Sequence, residues 1–77
     1  MAITVAVTFS VLPTSEQIQA MKTWITPYLT AGNTSVFPLD TVGDQLFREW
    51  DTVENAQAFM TKVNEIYTTA TSVEIVA

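Results

Sequence analysis

The chain has 77 residues, with eight acidic and three basic side chains for a net charge of −5, and it contains neither cysteine nor histidine. That length supports one domain, taken as residues 1–77, and the two missing residue types exclude disulfides, most structural zinc chemistry and imidazole catalysis. The three cations, Lys22, Arg48 and Lys62, are too scattered to follow a phosphate path, so neither nucleic acid nor a membrane is an expected partner.

In chain order, Ile3, Val5, Val7, Phe9 and Val11 alternate with Thr4, Ala6, Thr8 and Ser10, a period of two that predicts a strand. Because this segment is a strand pattern without a positively charged flank, it does not read as a signal peptide, and the expected compartment is cytoplasmic. Thr14 and Gln17 have the spacing of a capping box and predict a helix start. Ile18, Met21, Trp24 or Ile25, and Tyr28 or Leu29 then mark one apolar face. Pro27 lacks the amide a helix needs there, so the regular helix is expected to end near Thr26. Ala31-Gly32-Asn33 supplies the stop.

Thr34–Leu39 reads as a second strand, placed at a sheet edge by Pro38. Asp40–Asp44 is a turn containing Gly43, and Gln45–Asp51 returns as the partner strand of a hairpin. The second helix is expected to start with Asp51 as N-cap and Glu54 at the third helical position, a start at Thr52 being the alternative. Its apolar stripe is Ala56, Phe59, Met60, Val63, Ile66 and Tyr67, and Val73–Ala77 closes the chain as a last strand. The order β-α-β-β-α-β is the ferredoxin-like pattern, an α+β fold with a four-stranded antiparallel sheet and two helices on one face.

The other sheet face would then lie open. Phe47 opposes Leu46 and Trp50, and Phe37 and Leu39 oppose Val36 and Pro38, so the hairpin presents apolar groups on both sides. Such a patch predicts a cover, and the simplest cover is a second copy packed through the open sheet face as a homodimer.

The run Arg48-Glu49-Trp50-Asp51-Thr52-Val53-Glu54-Asn55-Ala56-Gln57-Ala58-Phe59 joins a strand ending in an aromatic to a capping residue, an acid, an alanine and an aromatic three further on. In this it resembles the dimeric α/β-barrel superfamily, which includes the antibiotic-biosynthesis monooxygenase-like and stress-responsive barrel families. The resemblance implies dimers with sheets back to back and a pocket between helices and sheet for a small apolar or aromatic molecule. Some members oxidise such molecules without a cofactor and others bind haem; this chain lacks the histidine that many carry on the second helix.

No catalytic constellation stands out. The hydroxyls have no histidine to activate them, and Asp51 and Glu54, within the acidic group Asp40, Asp44, Glu49, Asp51 and Glu54, have capping roles. Trp24, Tyr28, Phe37, Phe47, Trp50, Phe59 and Tyr67 are many rings for so small a core, and packing is their ordinary role; Trp24, Tyr28, Phe47, Trp50 and Phe59 are the candidates to line a site for a small apolar ligand. Arg48 is a candidate carboxylate anchor, with an ion pair to an acid of either subunit the favoured alternative. No cofactor is expected. The expected function is a homodimeric binding or structural domain. The alternatives are a cofactor-independent monooxygenase or isomerase acting on an aromatic or lipid-like substrate, and a pure assembly module.

Overall fold

The computed structural model describes residues 3–34 and 41–76. It is an α+β fold with the elements β1 (Ile3–Phe9), α1 (Ser15–Thr30), β2 (Thr41–Val42), β3 (Gln45–Trp50), α2 (Val53–Ile66) and β4 (Ala70–Ile75). Strands β3, β1 and β4 form an antiparallel three-stranded sheet, and the two-residue β2 extends it, giving the order β2-β3-β1-β4. The expected strand at 34–39 falls mostly outside the described residues; of it, Thr34 is seen, bridged antiparallel to Trp50.

Register divides the sheet into two unlike faces. Ile3, Val5 and Val7 stand opposite Trp50, Arg48 and Leu46, so these six share one face, and Val73 and Ile75 join it from β4. Val5, Val7, Phe9, Leu46 and Trp50 pack there with Met21 and Ile25 of α1, with Ala56, Phe59 and Val63 of α2, and with Tyr67. The second face carries Thr4, Ala6, Thr8, Gln45, Phe47, Glu49, Ser72 and Glu74. Among these strand residues Phe47 is the one large apolar group, so the described part of the face is less apolar than the sequence suggests.

Strand β1 stops at Phe9, and Val11 is 64% exposed rather than part of the core face. The alternation outlasts the ladder: β3 begins at Gln45 opposite Thr8, and β4 begins at Ala70 opposite Phe9, with a register shift between Thr8 and Phe9. Strand β4 likewise begins earlier than expected, because Ala70–Ser72 find partners on β1. Val42 pairs with Gln45, so the hairpin turns through Gly43 and Asp44 alone, and Gly43 takes the positive φ of 66° that such a tight turn demands.

Helix α1 continues past Pro27 to Thr30, four residues beyond the expected end. The turn after the proline is held by packing and by its cap. Tyr28 and Leu29 rest against the core, while Asn33 N donates to Tyr28 O at 2.9 Å and Gly32 N to Leu29 O at 3.1 Å. This is a Schellman ending, and Gly32 at φ 76° occupies its left-handed position. Hydroxyls from Thr26 to Lys22 O (2.7 Å) and from Thr30 to Thr26 O (3.1 Å) tie the turns on either side of the proline. Both halves of the expected box are present at the other end: Gln17 N donates to Thr14 Oγ1 and Thr14 N to Gln17 Oε1. Gln17 Nε2 also donates to Ile66 O at 3.0 Å, capping the last turn of α2.

Candidate functional site

Four of the sequence-selected aromatics meet in one cluster between the sheet and the helices. Trp24 and Tyr28 lie one turn apart on α1, and their rings are 4.7 Å apart. Trp50, facing them from β3, lies 6.4 Å from Trp24, 5.4 Å from Tyr28 in an edge-on arrangement, and 5.2 Å from Phe59 of α2. Such offset and edge-on pairs add attraction beyond area burial. Trp24 and Tyr28 remain partly exposed while Trp50 and Phe59 are fully buried, so the cluster runs from the surface into the core.

Phe47 does not belong to this group. Its register with Ala6 puts it on the opposite sheet face, where it is 44% exposed. Sequence alternation separates it from Leu46 and Trp50, so the structure does not bring it together with the other four aromatic candidates.

Arg48 is the reverse case. The same alternation places it with Leu46 and Trp50, and it is only 2% exposed. Its Nε donates to Thr34 Oγ1 at 3.0 Å, and the Thr34 hydroxyl donates in turn to Glu49 O at 2.6 Å. Burial lowers the guanidinium pKa below its ordinary value, with the electrostatic influence of Tyr67 acting the other way. An arginine so placed still carries its charge at neutral pH.

Tyr67, the C-cap of α2, is a residue that the sequence reading placed in the apolar stripe and counted among the aromatics, without naming it as a ligand contact. Its ring packs edge-on against Phe9 at 5.4 Å, and burial pushes its phenol up to about 12, the Arg48 charge pulling weakly against that. A tyrosine closing an apolar stripe is the available signal, since its hydroxyl must go somewhere once the ring is buried. Among the described residues two buried side-chain polar atoms lack a hydrogen-bond partner, and they are Trp50 Nε1 and Tyr67 Oη. Each such orphan costs about 1–3 kcal/mol of desolvation.

The described side chains of this layer mainly offer donors. Arg48, Trp50 and Tyr67 all present N–H or O–H groups at neutral pH, and no carboxylate is buried among the described residues. Of the acids singled out in the sequence, Asp51 is exposed and accepts from Asn33 Nδ2 at 2.8 Å and Asn55 Nδ2 at 2.9 Å. It is not the helix cap: Thr52 takes that place, its Oγ1 accepting from Asn55 N at 3.2 Å. Among the described residues no group of three or more acids, histidines or cysteines is placed to hold a metal ion, and no helix is long and apolar enough to cross a membrane.

No family model, curated protein or solved structure matches the chain. The reading of function therefore stands on this chain's own geometry.

Proposed function

We propose that the chain is a ferredoxin-like binding domain that acts as a homodimer through the sheet face opposite the helices and holds a small, largely apolar molecule against Trp24, Tyr28, Trp50 and Phe59 without transforming it. The observation that carries the binding role is the aromatic cluster ending in a buried indole N–H with no acceptor. Interiors normally pair such groups, so the unpaired indole N–H within the aromatic cluster supports a binding role.

Binding is favoured over catalysis because the buried polar groups are protonated at neutral pH. Burial holds the Tyr67 phenol neutral, Arg48 keeps its charge, and among the described residues no buried side chain is poised to accept a proton. The dimer is supported by Phe47 of β3, exposed on a face whose β1 members are the small Thr4, Ala6 and Thr8, and by the size of a domain without disulfides. The ferredoxin-like arrangement is supported by the position of β1 between β3 and β4.

The test is to purify the full chain and measure its mass under native conditions, then to extract it and identify any retained small molecule. A dimer carrying an aromatic or apolar compound is the expected result. A stable monomer at micromolar concentration overturns the dimer. Failure both to retain a molecule and to take up naphthalene overturns the binding role.

A further inference from the structure

The described part of the sheet face opposite the helices carries two acids and no lysine or arginine. Glu74 stands opposite Ala6 on one side of β1, and Phe47 stands opposite the same Ala6 on the other. Glu49 is opposite Thr4 and two positions along β3 from Phe47, so the two carboxylates flank the patch made by Phe47 and Ala6. Glu74 is exposed and Glu49 is half-buried. All three lysine and arginine side chains of the chain lie elsewhere. Arg48 is buried on the helix-covered face, and Lys22 and Lys62 belong to α1 and α2, where Lys62 pairs with Glu65 at 2.8 Å.

An isologous contact sets a patch against its own copy. A second copy therefore brings two more carboxylates to this face and no lysine or arginine to offset them. Like charges brought together across an interface oppose association, and they do so more strongly as water leaves the contact. Phe47 and the small β1 residues favour the contact, and the glutamates resist it. Salt acts mainly on the resistance, because charges are felt over about 30 Å at 0.01 M salt and about 3 Å at 1 M.

We propose that self-association through this face is gated by ionic strength, with Glu49 and Glu74 as the gate. The protomers stay apart in dilute salt and join as screening rises. This gate rests on the homodimer reading and adds its regulation. An interface held by ion pairs responds in the opposite direction, so the sign of the salt effect tells the two apart.

The dimer dissociation constant of the full chain is measured by sedimentation equilibrium in sodium chloride between about 10 mM and about 1 M. It is expected to fall at least tenfold across that range. Glu49→Gln combined with Glu74→Gln is expected to dimerise in dilute salt and to respond threefold or less. A second pair, Glu16→Gln with Glu54→Gln, removes the same net charge from exposed positions in the first turns of the helices. That pair is expected to keep the wild-type response. A monomer at every salt concentration, in wild type and in the Glu49 and Glu74 pair alike, overturns the homodimer reading and the gate with it. A wild-type dimer whose affinity is unchanged or weakened by salt overturns the gate and leaves the dimer, as does a dimer formed by the Glu49 and Glu74 pair alone. A salt response that persists in that pair, or is lost equally in both pairs, overturns the assignment to Glu49 and Glu74.

Discussion

Asp51 and Asn33 join the end of α1 to the start of α2 through two hydrogen bonds: Asn33 Nδ2 donates to Asp51 Oδ2 at 2.8 Å, and Asp51 N donates to Asn33 O at 3.0 Å. Hydrogen bonds from Asn55 and Asn33 hold the Asp51 carboxyl below its ordinary 3.8. The native state thus binds its proton less readily than the unfolded chain does. The resulting stability is present above pH 3.8 and is lost as pH falls through the lower native value. Asp51→Asn should lower the melting temperature at pH 7, and the gap from wild type should close in melts taken progressively below pH 3.8.

Thr52, and not Asp51, satisfies an open amide at the start of α2. Thr52→Ala is expected to destabilise the fold by about 1 kcal/mol, as loss of an N-cap generally does. Urea unfolding measures the change, and Thr52→Ser should recover most of it.

Tyr67→Phe removes a buried hydroxyl that has no hydrogen-bond partner among the described residues. Stability should therefore rise by about 1 kcal/mol. The pH response is also fixed in sign. With the native phenol near 12 and the unfolded one near 10, the native state keeps a proton that the unfolded chain releases. Wild-type stability falls as pH rises between those values, and the variant should show a shallower decline in the same alkaline range.

Phe47 is exposed and makes no part of the core cluster, so Phe47→Glu should change the stability of the protomer by no more than about 0.5 kcal/mol. It should nonetheless convert the proposed homodimer to monomer in sedimentation velocity, by placing a carboxylate on that contact beside Glu49 and Glu74.

Pro27 leaves the Thr23 carbonyl without its helical amide partner inside α1. Pro27→Ala should stabilise the fold by about 1 kcal/mol, less than the full interior proline penalty because the unfolded chain also gains freedom. Thermal melts and helical circular dichroism report the change together.

Much of the scaffold is legible in the residue pattern. The alternation of β1 identifies its core face, and the three-and-four spacing selects Met21, Ile25, Ala56, Phe59 and Val63, all of which are buried. Features that depend on partners far along the chain are harder to read. Asp51 and Thr52 have equal local claims to the cap, and the choice is made by Asn33, eighteen positions away from Asp51, which engages its carboxylate. The end of β1 depends on where its two neighbours begin. Pro27 breaks a local rule, and tertiary contacts of Tyr28 and Leu29 with the Schellman ending outweigh it. In the candidate site, the grouping of Trp24, Tyr28, Trp50 and Phe59 follows from amphipathic faces. The Tyr67 hydroxyl escapes notice because hydropathy patterns register a ring and not the direction of its polar end.

The carboxamide of Gln17 has one further consequence. Its oxygen accepts from Thr14 N at the beginning of α1 while its nitrogen donates to Ile66 O at the end of α2, across 49 positions of sequence. A single side chain therefore serves as the latch for two frayable ends at once. When α1 loosens its first turn, α2 loses the donor on its last, and Tyr67 follows directly after that carbonyl. Loosening at this corner should therefore be coupled between the two helices, next to the buried Tyr67.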